Sequence, residues 1–178
     1  GDSLIGTGGD DSASYAGDGA SITVNLNTSN GQDTVIDGSG ASDTLVGMAI
    51  LGSGFDDVFN TVSYWGGGGG HLLAGGGGKD SYVLNALQND GCGSGINANS
   101  DRITDFTAGP GGDVIDLTIL LAALQSQNSF PPGDNPFANG NLRLVADGAG
   151  GTLLQLSPTA NGAFTTILKL SGVLPGDL

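Results

Sequence analysis

The feature that most constrains this chain is a glycine run in its middle, residues 66–83. Read in nines, it gives Gly66-Gly67-Gly68-Gly69-Gly70-His71-Leu72-Leu73-Ala74, then Gly75-Gly76-Gly77-Gly78-Lys79-Asp80-Ser81-Tyr82-Val83. Consecutive glycines let a short loop wrap with positive φ and turn backbone carbonyls to one side. The sixth position of the second nine, Asp80, adds a carboxylate to that ring. The eighth, Tyr82, is the one large apolar residue and points inward. The first nine is the same pattern with His71 in place of the aspartate. Weaker copies run from Gly38 to Val46, with Asp43, and from Gly52 to Phe59, with Asp56 and Asp57; Gly6 to Asp11 is a remnant. Loops of this kind stacked one coil apart can sandwich a hard cation, and all-oxygen donors at flexible geometry suit calcium better than magnesium.

Composition agrees with turns and strands and excludes several classes. Of 178 residues, 35 are glycine, and every one of the 18 acidic residues is aspartate. Glutamate is absent and lysine nearly so, which makes helix minor. Lys79, Arg102, Arg143 and Lys169 are the only cations, and the net charge is −14. Four scattered cations do not make the basic face that nucleic acid requires. No apolar run is long enough to span a membrane. A hydrophobic content of 38% and a mean hydropathy of +0.07 argue against disorder. The single cysteine, Cys92, excludes an internal disulfide, so a cation is the natural staple for so acidic a chain. The chain begins mid-pattern at Gly1-Asp2-Ser3-Leu4, like a processed fragment or a cut domain.

Along the chain, residues 1–84 read as turn-rich β structure. Ser21 to Leu26 alternates apolar and polar, as a half-buried strand does. Asn30-Gly31 is a turn, and Asp33 to Ile36, Asp43 to Val46 and Asp57 to Phe59 are short strands. Residues 85–100 read as an irregular insert rich in Asn, Gly and Ser. Alternation resumes at Asp101 to Phe106, and Thr118 to Gln127 is the one convincing helix, closed by Pro131-Pro132-Gly133. Residues 141–174 read as a β meander with turns at Asp147-Gly148 and Asn161-Gly162.

With these motifs in hand, the chain resembles the RTX family, the nonapeptide-repeat calcium-binding proteins, and within it the C-terminal region of type I secreted proteins. The segment Ala13 to Ala16 leading into Ile22 to Leu26 is similar to one that precedes RTX repeats. Asp101-Arg102-Ile103-Thr104-Asp105-Phe106, followed by Asp113-Val114-Ile115-Asp116-Leu117, resembles the family's capping stretch. Leu142 to Val173 resembles the terminal meander that carries the secretion signal. The resemblance implies an all-β fold: a degenerate parallel β-roll or β-helix over 1–84, the insert at 85–100, and over 101–178 a capping segment with one short helix and a terminal antiparallel β meander. Together they would form one continuous domain. It also implies calcium held between loops about 18 residues apart in one column. Asp80 then has Val62 as its partner position, and His71 has Ser53, so the register is broken and few sites are expected. The leading ligand candidates are Asp80, Asp101 and Asp105, because the capping stretch lies over the last loops; Asp113 and Asp116 come next, then Asp57, Asp56 and Asp43. The same aspartates could instead form Asx turns and caps.

No catalytic constellation stands out. His71 is the only histidine, has no nucleophile beside it, and reads as solvent-facing. Asp56 and Asp57 are neighbours in an extended segment and point to opposite faces, which does not suit an acid–base pair. The five-glycine run lacks the Gly-Lys-Ser/Thr ending of a phosphate loop. Cys92 reads as an exposed thiol, and Tyr64 and Trp65 as a cap on the roll. The expectation is a noncatalytic, secreted, extracellular calcium-stabilised structural module. Its partner during export would be the type I secretion machinery, and it would fold outside the cell. The alternatives are a self-assembling surface-layer or filament subunit, whose open strand edges could add a neighbour, and the C-terminal module of a larger secreted hydrolase or glycan-active enzyme.

Overall fold

A computed structural model describes residues 1–7, 11–26, 32–61, 70–85, 101–126, 131–157 and 159–178. The Asn30-Gly31 turn, Tyr64, Trp65, Gly66 to Gly69, Cys92 and the insert at 86–100 lie outside the described residues. The elements in chain order are β1 (Ser3–Ile5), β2 (Ser12–Ser14), β3 (Thr23–Asn25), β4 (Asp33–Ile36), β5 (Ser42–Val46), β6 (Ala49–Leu51) and β7 (Val58–Thr61). They continue with β8 (Leu72–Ala74), β9 (Ser81–Leu84), β10 (Asp101–Ile103), β11 (Val114–Asp116), α1 (Thr118–Ser126), β12 (Leu142–Ala146), β13 (Thr152–Leu156) and β14 (Thr165–Leu170). A 3-10 turn, Pro175–Asp177, follows.

Among the described residues the fold is mostly β: two seven-stranded sheets and one short helix. The first sheet runs β1-β5-β4-β3-β7-β9-β11 and the second β12-β13-β14-β10-β8-β6-β2. Both are mixed rather than wholly parallel, and the antiparallel pairing of β3, β4 and β5 means that the degenerate parallel β-roll or β-helix expected over 1–84 is not the arrangement of that whole segment. β3, β4 and β5 form an antiparallel meander at one end of the first sheet. β12, β13 and β14 form another at the far end of the second. Between them, from β6 to β11, the chain passes alternately from the second sheet to the first, and its neighbours are parallel. Val58 pairs with Ser81 and Ile50 with Leu73, an offset of 23 residues in place of the expected 18. The half-coils through 52–60 and 75–83 keep nonapeptide length. The return segments are longer, and they set the wider spacing.

The core lies between the sheets and follows from period-two alternation. Val24, Phe59 and Tyr82 occupy one cross-strand row of the first sheet, all fully buried. Phe59 and Tyr82 stack at 5.0 Å, and Phe106 packs on Tyr82 at 6.2 Å. Ile50, Leu73, Ile103 and Leu170 form the matching row of the second sheet. The helix α1 buries Leu120 and Leu124 and packs against β9. Its start is capped by Asp116, whose carboxylate accepts the Thr118 N–H.

Candidate functional site

Each passage from the second sheet to the first is a loop, and these loops stack on one edge of the molecule. Gly52 to Asp57 lies beside Gly75 to Asp80, and Thr104 to Asp113 lies beside the latter. Backbone bonds tie neighbours together: Gly52 N–H donates to Ala74 O at 2.8 Å, and Gly77 N–H to Ser53 O at 3.1 Å. The stack is close enough to exclude side chains. Gly78 has φ +102°, and a Cβ there would strike the backbone of Phe55 and Asp56. A Cβ on Gly75 would overlap the Asp80 carboxylate and the Tyr82 hydroxyl. The glycines that mark the sequence pattern are therefore required by the approach of one loop to the next.

An aspartate ends each loop, and its carboxylate bonds to the neighbouring coil. Asp57 accepts Ile22 N–H at 2.8 Å, together with Ser53 N–H and Ser53 O–H from its own loop. Asp80 accepts Asp57 N–H at 2.9 Å, and Asp113 accepts Asp80 N–H at 2.9 Å and Thr107 N–H at 2.7 Å. Asp105 reaches back over the nonapeptide loop and accepts Gly75 N–H at 3.0 Å and Gly76 N–H at 2.9 Å. Asp56, on the outside, accepts Lys79 N–H. The column partner of Asp80 is thus Asp57, 23 residues back rather than the 18 that the resemblance implies.

This column concentrates negative charge. Burial pushes the Asp80 carboxyl up to about 7, aided by the charges of Asp113, Asp57 and Asp105, while the bond from Asp57 N–H pulls the other way. The Tyr82 hydroxyl is fully buried beside Asp80 and Gly75 and has no hydrogen-bond partner. Its pKa is raised strongly, first by burial and then by the same carboxylates.

The remaining candidates lie elsewhere. Asp101 is on the opposite edge, where the chain enters the second sheet. It accepts His71 N–H at 2.9 Å and faces His71 Nδ1 at 3.1 Å. His71 Nε2 stands 3.1 Å from Asp33 on β4. His71 is therefore not solvent-facing: its side chain is 19% exposed and bridges two buried carboxylates. Burial disfavours its charge, but the bonds to Asp101 and Asp33 outweigh that and raise its pKa to about 10. Asp43 accepts the Tyr15 hydroxyl and Asp2 N–H, and Asp116 is occupied as the helix cap.

Sequence reasoning missed Asp33 and Ser53. Asp33 stands at the head of a plain strand pattern, and nothing local marks it. Ser53 and Asp57 were readable, because Gly52 to Asp57 and Gly75 to Asp80 are both six-residue loops that open on glycine and close on aspartate. Among the described residues no group of three or more His, Cys, Asp or Glu side chains is arranged to hold a metal ion. No helix among them is long and apolar enough to cross a membrane. No protein-family model matches the chain, and no curated protein sequence matches it.

Proposed function

We propose that this chain is a noncatalytic, calcium-stabilised structural module of the RTX type, exported by a type I route and folded outside the cell. The central coils, β6 to β11, are read as a degenerate β-roll. The observation that carries the reading is the stacked loop column: Gly75 to Asp80 on Gly52 to Asp57, with Asp105 and Asp113 brought over it. Four carboxylates share one edge, and no cationic side chain pairs with them among the described residues. The donors there are carboxylate and backbone carbonyl oxygens, the set that calcium prefers. Asp80 and the loop carbonyls would receive the ion, Asp105 and Asp113 would have to turn from the amides they now accept to join it, and the ion would supply the missing positive charge. Asp57 already accepts three hydrogen bonds and serves the coil rather than the ion.

Extracellular calcium modules bind at roughly 10⁻⁴–10⁻³ M, and one such site at tenfold excess adds about 1.4 kcal/mol. For a chain of this size that raises the melting temperature by roughly 3–5 °C. The test is thermal unfolding and sedimentation velocity, in chelator and then in millimolar calcium, with magnesium as the control. A compact species with a calcium-specific rise in melting temperature supports the reading. Identical melting in chelator and calcium defeats it.

A further inference from the structure

We infer that the outer face of the second sheet is a self-association surface that takes the Phe55–Asp56 loop tip of a second copy of this chain. Three of the four cations share this face. Arg102 pairs in register with Leu72 on one side and Lys169 on the other, and Lys169 pairs with Leu153. Their sequence neighbours Ile103, Leu73 and Leu168 are buried between the sheets, so this row points outward. Arg143 lies on the same face of β12, hydrogen-bonded to Gln155 and stacked 3.8 Å over the Phe164 ring.

In a chain with 18 aspartates and four Lys or Arg, these cations would be expected to find carboxylates within the molecule. None closes an ion pair: those among the described residues are His71's, and Arg102 reaches Asp147 only through space, adding to the Ala149 and Gly151 N–H bonds that hold that carboxyl below its usual range. Leu72, 45% exposed, borders the row and adds an apolar contact. Its complement is at the stacked-loop edge. Phe55 is 46% exposed and is followed by Asp56, also exposed. One patch offers an aliphatic side chain and two cations; the other offers an aromatic ring and a carboxylate, on a chain whose excess charge is negative. The two patches differ, so the contact is heterologous and propagates as an open chain rather than closing as a two-fold dimer. The inference is independent of calcium, since neither Phe55 nor Asp56 belongs to the proposed ion site.

The experiment is sedimentation velocity across a concentration series at roughly 0.1 M and roughly 1 M salt, where the Debye length falls from about 10 Å to about 3 Å. The buffer is whichever one shows the folded chain by circular dichroism. Expected is concentration-dependent growth at the lower salt, and at least a tenfold weakening at the higher salt and in Arg102→Glu/Lys169→Glu. Phe55→Ser/Asp56→Asn should fail likewise. The two double variants, each monomeric alone, should form a one-to-one pair when mixed, because each keeps one intact patch. That complementation excludes loss of folding as the cause. A wild-type chain that stays monomeric throughout, or variants that do not pair on mixing, overturns the proposal. So does retention on dextran sulfate through the cation row without self-association, which would assign the face to a polyanion.

Discussion

The two edges of the molecule, where the chain passes between sheets, handle buried aspartates in opposite ways. On one edge Asp33 and Asp101 flank a single imidazole, and His71 stands 3.1 Å from each. Both ring nitrogens face carboxylates, which only the charged ring satisfies as a double donor. On the other edge Asp57, Asp80 and Asp113 follow one another along the coils and are met by backbone amides and, at Asp57, the Ser53 hydroxyl, all of them uncharged donors. Such donors satisfy hydrogen bonding but carry no net charge, so repulsion between the carboxylates persists and adds to burial in raising the Asp80 pKa. A hydrogen bond and a counter-charge are different remedies, and this molecule separates them onto two edges.

The contrast can be broken at four points. The largest effect belongs to Asp57→Ala, which orphans the N–H groups of Ile22 and Ser53. At about 1–3 kcal/mol for each buried donor, a loss of about 3 kcal/mol is expected in urea unfolding. A loss below about 1 kcal/mol would show that the amides find other partners. His71→Gln removes the counter-charge at the other edge and should cost about 2 kcal/mol near neutral pH, somewhat below the cost of breaking a fully buried pair. Its pH signature is specific. The raised His71 pKa contributes stability that is fully present below the unfolded value of 6.5 and is lost as pH rises through about 10. The gap between wild type and His71→Gln should therefore narrow from pH 7 to pH 11, and a constant gap would remove the ion-pair account.

Within the stacked loops, Gly75→Ala should destabilise by about 1–2 kcal/mol through overpacking. Gly77→Ala, whose Cβ would meet Gly54 at 3.6 Å, should be nearly neutral; equal effects at the two positions would contradict the close approach at Gly75. The smallest change is also the only gain. Asp80 has its pKa raised from 3.8 to about 7. The folded state therefore holds its proton more tightly than the unfolded one, and stability from this group declines as pH rises from about 4 through about 7. Asp80→Asn, which keeps an acceptor for Asp57 N–H, should in chelator be more stable than wild type by about 1 kcal/mol at pH 8. Near pH 4 the two should melt alike. In calcium the variant should lose that advantage and respond less to the ion than wild type.

Much of the strand content was legible because it depends on local pattern. Asp33 to Ile36 is a strand with the bounds read from the sequence, the Thr118 helix starts at the expected residue, and Asn161 adopts φ 56° in the turn assigned to it. Strands such as Ala49–Leu51 and Ser3–Ile5 escaped notice because three residues are too few to show a period. The 23-residue offset was out of reach of the nonapeptide rule, since the return segments set it. The partners of His71 lie 38 residues upstream and 30 downstream, joined only when β4 and β10 meet it across the two sheets.

Taken by itself, the amino-acid sequence determined which loops could stack: glycines allow positive φ and close approach, and an aspartate or a large apolar residue at a set position dictates what faces the neighbour. It also determined that helix would be scarce and charge overwhelmingly negative. Only the tertiary structure decided which carboxylates share an edge, that Asp101 joins His71 rather than Asp105, and that three of the four cations occupy one outer face. Loop shape is governed by φ, ψ and contacts a few residues apart, whereas electrostatic partnership depends on through-space distance, and that is fixed only when separate coils come into register.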